Sequence, residues 1–270
     1  MESLVVDWTW DTGNYPVAVA SFVFSLLLHS YISPFLTSIL VQTVSSLPHG
    51  KQLYWHSSVV SSVHAIVVSS FCVYSFMTEP QLKEDLIWGD SKTVKISCAI
   101  VIGYMTADTI IMLRMLRYRQ DVCNKYKFFL CHHAVSVFAY FYVMTFGVYV
   151  YFANFRLMAE FSTVFVNNRW MMAAIGGKSS QLYFYNGMVL TAVFFACRIL
   201  CMPQCWYMIY SIYNTEPFMK SETARYVLIS SCFALDILNV YWFYKLLKGV
   251  LRTLEQRKLD NNKNKERKSE

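Results

Sequence analysis

The chain has 270 residues, of which 56% are hydrophobic and only 15% charged, with a formal net charge of +7. A soluble domain carries about a quarter charged residues; here the charges cluster and leave apolar runs of membrane-spanning length, which excludes a soluble globular protein. The basic excess sits in short loops and a C-terminal tail, as the positive-inside bias requires, so no nucleic-acid partner is expected.

In chain order, seven apolar spans are predicted. The first, Val17–Val41, follows a segment with Glu2, Asp7 and Asp11 and no Lys or Arg. Without a basic n-region, a cleaved signal peptide is not expected. The second span, Trp55–Met77, contains His64 and is followed by an acidic connection holding Glu79, Glu84, Asp85 and Asp90. The third, Val94–Leu113, carries Asp108 near its end and leads into a basic connection with Arg114, Arg117, Arg119, Lys125 and Lys127. Phe128–Phe146, the fourth, contains the adjacent pair His132–His133. Val148–Val166, the fifth, and the residues just after it carry Asn154, Arg156, Glu160, Thr163 and Asn167. The sixth, Leu182–Tyr213, contains Asn186, Arg198 and Pro203, which should kink it. Cys197, Cys201 and Cys205 recur there every four residues and read as a small-residue packing stripe. The seventh, Thr223–Leu247, contains Asp236 and Asn239 and precedes a basic tail. Residues after about Lys258 are polar, lack apolar periodicity and are expected to be disordered.

The fold class expected is therefore an all-α polytopic membrane bundle of about seven helices, or six if the fifth segment is re-entrant. With seven spans, the charge distribution puts the C-terminus in the cytosol and the N-terminus on the opposite side.

The fifth span is the weakest. Arg156 and Glu160 each cost about 3 kcal/mol at the centre of an isolated inserted helix. It must therefore be an interior helix. Arg156, Glu160, Thr163 and Asn167 fall on one stripe, along which Arg156 and Glu160 are placed to pair.

At 1.5 Å of rise per residue, polar groups on six helices reach the cytosolic half of the bilayer. They are His64, Asp108, the histidine pair, Thr163 with Asn167, Asn186 and Asn239. Arg156 and Arg198 lie further out, with Glu160 and Asp236 near the middle. Taken singly, such groups read as interhelical hydrogen bonds. Taken together around His132 and His133, they read as a polar pocket open to the cytosolic side. One histidine should lie within reach of Asp108, Glu160 or Asn239, because unpaired polar groups in hydrocarbon are costly. Imidazole can act as base or nucleophile. No metal is expected, since His and carboxylates do not repeat at ligand spacing.

Two runs, FFLCHHAVSVFAYFY (Phe128–Tyr142) and NFRLMAEFSTVFVNNRWMM (Asn154–Met172), resemble the signature of TLC-domain proteins. These include ceramide synthases and translocating-chain-associating membrane protein. WHSSVVSSVHAIVVS (Trp55–Ser69) and LDILNVYWFYKLLKG (Leu235–Gly249) are similar to the family too. The resemblance covers about Gly50 to Gly249. It implies three parts: residues 1–49 with the first span, a TLC domain over 50–249, and a basic cytosolic tail over 250–270. It also implies an endoplasmic-reticulum or other internal membrane and a role in lipid homeostasis. Arg267-Lys268-Ser269-Glu270 resembles a degenerate dilysine retrieval signal.

In ceramide synthases the adjacent histidines serve N-acyl transfer from acyl-CoA, and His132–His133 match that pair. Their second motif has His-Asp followed by another Asp three residues later. Here the matching residues are Ala159, Glu160 and Thr163, so ceramide synthase activity is not expected. The first reading is a protein that binds a lipid or acyl chain in an intramembrane pocket and influences membrane lipid composition. His64, Arg156, Thr163, Asn167, Asn186, Asp236 and Asn239 line that pocket in this reading. The alternative is an acyl-CoA-dependent acyltransferase with His132 or His133 as base or nucleophile and Glu160 or Asp108 orienting it. Transport or channel function ranks third, for want of an inverted repeat. No resident cofactor is expected; membrane lipids and long-chain acyl-CoA are the expected partners, and nothing in the sequence specifies an oligomeric state.

Overall fold

The computed structural model describes residues 10–117 and 123–269, with the side chains of 123–125 and 257–269 left aside. Glu2, Asp7, Arg119 and the Lys125 side chain, used above for topology, lie outside the described residues. All regular structure among the described residues is helical. The long helices are α1 (Tyr15–Leu40), α2 (His49–Thr78), α3 (Lys92–Leu116), α4 (Cys123–Phe146), α7 (Gln181–Ile212) and α8 (Thr223–Ser269). Among the described residues, six helices are long and apolar enough to cross a membrane, and they belong to these elements.

The fifth predicted segment is two helices, α5 (Val150–Leu157) and α6 (Phe161–Ala174), joined by a 3-10 turn at Met158–Glu160. It runs antiparallel along α2. Asn154 exchanges bonds with Cys72, Asn167 donates to Ser62 at 3.1 Å, and the Trp170 ring meets Tyr54 near the start of α2. Residues 150–170 thus cover about 30 Å at helical rise, the thickness of a hydrocarbon core. The segment is a seventh traverse of the bundle and not a re-entrant loop. Its burial explains how it tolerates charge: Val150, Tyr151, Phe152, Ala153, Asn154 and Phe155 are all buried.

Six of the traverses close into a ring. α2 packs on α3, α3 on α4, α4 on α8, α8 on α7, α7 on α6 and α6 back on α2. The first helix lies outside this ring against α3. Gly103 sets that crossing: a Cβ there would overlap the Ala18 carbonyl and crowd the Phe22 amide. Close backbone approach of this kind is how small residues join membrane helices. Ser21 adds a bond to the Ile100 carbonyl at 2.8 Å.

One end of the bundle is clasped at Tyr149. Its backbone sits in the left-handed region (φ 60°), which costs a non-glycine residue about 1–2 kcal/mol. Its amide donates to the Ile87 carbonyl at 2.8 Å and its hydroxyl meets Ser221 at 2.5 Å. The Asp11 amide reaches Thr145 at the same end. The visible N-terminal residues and the start of α8 therefore share one face, and α8 carries the tail out of the other.

Two sequence expectations change. Residues after Lys258 are helical through Ser269, continuing α8. Lys, Arg, Glu and Leu are good helix formers, so absence of an apolar stripe did not end the helix. Arg156 pairs with Asp236 on α8, Nη1 to Oδ1 at 2.6 Å, and not with Glu160. The 3-10 turn between them removes the α-helical register that i,i+4 pairing needs.

Candidate functional site

The ring encloses a cavity of about 480 Å³, within the roughly 300–1,000 Å³ usual for small-molecule sites. All six ring members contribute. From α2 come Ser57 and Ser61, from α3 Tyr104 and Asp108, and from α4 Phe129, His132 and His133. Glu160 in the 3-10 turn and Thr163, Asn167 and Arg169 of α6 form the facing wall. Leu190, Phe194 and Arg198 of α7 and Trp242 of α8 complete it. The cavity lies toward the end of the bundle from which the tail emerges, since Tyr54 and Trp170 mark its edge.

At its polar wall, His133 Nε2 lies 3.8 Å from Asp108 Oδ2, and its Nδ1 is 3.2 Å from Thr109 Oγ1. The Thr109 hydroxyl donates its proton to the Met105 carbonyl at 2.8 Å. With that hydroxyl on the carbonyl, His133 Nδ1 carries the ring proton and Nε2 a lone pair; with the hydroxyl turned to Nδ1, Nε2 carries the proton toward Asp108. Asp108 Oδ1 accepts from Ser57 at 2.7 Å, which fixes the carboxylate from α2. His132 is held differently. Its ring packs edge-on against Trp242 with centroids 5.4 Å apart, and its Nδ1 is buried without a partner among the described residues.

The opposite wall is organised by Arg198. Its Nε donates to the Ala159 carbonyl (3.1 Å) and Ser162 (2.8 Å), Nη1 to Asn239 (3.0 Å) and Nη2 to Thr163 (3.2 Å). Thr163 in turn donates to Glu160 at 2.9 Å. Arg198 reaches these partners because α7 opens into a π-helical turn at Phe195–Leu200, just ahead of Pro203. Proline removes the backbone donor that would hold a normal turn there.

The structure brings His132, His133, Asp108, Glu160, Thr163 and Asn167 to one cavity, places Arg156 and Asn239 on a small adjoining cavity shared with His132, Glu160 and Arg198, and sets His64, Asn186 and Asp236 apart. His64 stacks on Tyr104 with centroids 3.9 Å apart and lines a separate groove against α1. Arg156 and Asp236 pair beside Trp206, whose indole donates to Asp236 at 2.8 Å. Asn186 donates to the Phe165 carbonyl at 2.9 Å, joining α6 to α7. Asn239 serves Arg198. Ser57, Thr109 and Arg169 were not singled out from sequence. A serine or threonine in a span has no distinguishing pattern, whereas Arg169 offered its charge as a signal. Among the described residues no cluster of His, Cys, Asp and Glu has the geometry to hold a metal.

The family model for the TLC domain matches residues 54–248. TLC domain-containing protein 4-B of Danio rerio is 40% identical over 259 residues, covering 94% of this chain and 96% of that protein. TLC domain-containing protein 4 of Homo sapiens is 34% identical over 248 residues, covering 91% and 92%. More distantly, TLC domain-containing protein 1 of Gallus gallus is 23% identical over 200 residues, covering 74% and 75%. No solved structure matches the chain.

Proposed function

The chain belongs to the TLC-domain family, and we propose that it is a lipid-homeostasis protein that holds a lipid or acyl chain in the cavity inside its helical ring. The observation that carries this reading is the composition of the cavity. Apolar and aromatic side chains such as Met105, Phe129 and Leu190 line part of it, and many polar groups converge on the rest, among them His133, Asp108, Glu160 and Arg169. That is the pattern of a site for an amphiphile. Orientation follows the charge bias: the end bearing Arg114, Arg117, Lys245 and Lys248 faces the cytosol, and the host membrane is the endoplasmic reticulum or a related internal one.

A second reading is favoured by the placement of His133 between Asp108 and Thr109. An imidazole with one nitrogen held by a threonine hydroxyl and the other 3.8 Å from a carboxyl oxygen is placed to exchange a proton, and its neutral form with Nε2 unprotonated is a general base. In acyl transfer, Nε2 would take the proton of an attacking hydroxyl or amine. The new ester or amide bond would form as the thioester of long-chain acyl-CoA breaks and the CoA thiolate leaves.

Lipid mass spectrometry of the purified protein tests both. A co-purifying acyl species, depleted in the His132→Ala/His133→Ala variant, is expected. Wild-type protein carrying no acyl species above detergent background overturns the cavity reading. An acyl-imidazole adduct would instead assign a histidine as nucleophile.

A further inference from the structure

The cavity holds two guanidinium groups in contrasting states. Arg198 is engaged at Nε, Nη1 and Nη2, all with protein acceptors. Arg169 is not. Its Nη1 donates to the Tyr183 carbonyl at a long 3.3 Å, and its Cζ lies 4.2 Å from the Tyr183 ring centroid. Its Nε and Nη2 have no acceptor among the described residues. A guanidinium carries five N–H donors in a planar fork, so most of this fork is unspent while its face is fixed on an aromatic ring.

The position of the fork is built into the neighbouring helix. A Cβ at Gly187 would overlap Arg169 Nη1. The guanidinium therefore lies across bare backbone, and a Cβ at 187 would push this flexible side-chain end aside. Arg169 also stands next to Trp170, which meets Tyr54 at a centroid distance of 4.3 Å near the first turns of α2. It thus sits at the tail-side end of the cavity, where a ligand's head would meet the interface. No cavity carboxylate pairs with it: Asp108 accepts from Ser57, and Glu160 from Thr163.

We propose that Arg169, seated on Gly187 and Tyr183, is the residue of this cavity that recognises the ligand's head, and that the ligand is a single-chain lipid with an oxyanion head. A planar fork matches phosphate and carboxylate oxygens in bidentate fashion. This rests on the cavity reading above and adds the ligand class to it.

Equilibrium binding to the purified full chain, using three probes with the same oleoyl chain, tests the proposal. Oleoyl lysophosphatidate offers phosphate, oleate offers carboxylate, and mono-oleoylglycerol offers neither. One or both oxyanion probes should bind at least about tenfold more tightly than mono-oleoylglycerol, the effect of one charge-assisted hydrogen bond. Which of the two binds more tightly identifies the oxyanion. Arg169→Gln should reduce oxyanion binding to the neutral probe's level. Gly187→Ala keeps the charge but displaces the fork, and should remove part of the preference. Equal binding of all three probes to the wild type, or a preference unchanged in Arg169→Gln and Gly187→Ala, overturns the assignment of Arg169 while the cavity reading stands. Binding of none of them overturns both.

Discussion

His133 on α4 and Asp108 on α3 face each other across the cavity wall, Nε2 to Oδ2 at 3.8 Å. The gap exceeds a direct hydrogen bond, so each group keeps capacity for a ligand or a water between them. Each is anchored from behind, His133 by Thr109 and Asp108 by Ser57. Their separation is thus set by three helices.

Ser57 therefore matters more than an ordinary serine in a span. Ser57→Ala leaves a buried carboxyl oxygen of Asp108 without its donor, at a cost of about 1–3 kcal/mol. The expected result is a lower unfolding midpoint in detergent than wild type. Ser70→Ala, which removes only an exposed hydroxyl bonded to its own helix, should leave the midpoint near wild type. Equal midpoints for the two variants would contradict the anchoring role.

The Arg156–Asp236 pair joins α5 to α8 within the core. Asp236→Ala leaves the guanidinium buried without its counter-ion and should destabilise by about 3–5 kcal/mol. Glu160→Gln does not break that pair and keeps an acceptor for Thr163, so its cost should be about 1 kcal/mol. Steric-trapping or denaturant measurements in bicelles decide the order. Glu160→Gln as the more damaging change would contradict the Arg156–Asp236 pair as the stronger anchor of the fifth segment.

Arg198→Lys preserves the charge but cannot reproduce bonds from three nitrogens to Ala159, Ser162, Asn239 and Thr163. Lys is a point charge on a flexible stem. The variant should express but unfold more readily, losing about 2–4 kcal/mol as buried acceptors go unpaired. A midpoint equal to wild type would show that the hub is dispensable.

Gly103→Leu tests the seating of α1. The overlap is with the Ala18 backbone, which cannot rotate away. A cysteine pair placed across the α1–α3 crossing, in a background lacking other accessible cysteines, should cross-link efficiently with Gly103 and poorly with Leu. Equal cross-linking would contradict the packing.

Much of this was legible in the sequence, for definite reasons. Long apolar runs and clustered charge specify a helical membrane bundle because backbone groups in lipid must pair within each segment. The polar stripe of the fifth segment marked an interior helix because its charges could not face lipid. The partner of Arg156 was not legible. A 3-10 turn of three residues shifts the register, and its cause is tertiary. Ser57 and Thr109 were invisible for another reason: span hydroxyls commonly bond their own helix, as Ser58 and Ser62 do here. Placement by depth gathered His64, Asn186 and Asn239 with the histidine pair, but depth does not say which way a side chain points. His64 faces α1, and Asn239 is taken by Arg198.

The central claim is that a lipid chain occupies the interior of the ring and not only its outer surface. Photo-cross-linking in native membranes, with a palmitate analogue carrying a diazirine in its chain, tests it most directly. Adducts mapped by mass spectrometry should fall on cavity-lining residues such as Met105, Phe129, Val166 and Leu190, and excess unlabelled lipid should suppress them. Adducts confined to outward-facing residues such as Phe35, Ile39 and Tyr74, insensitive to competitor, would contradict it.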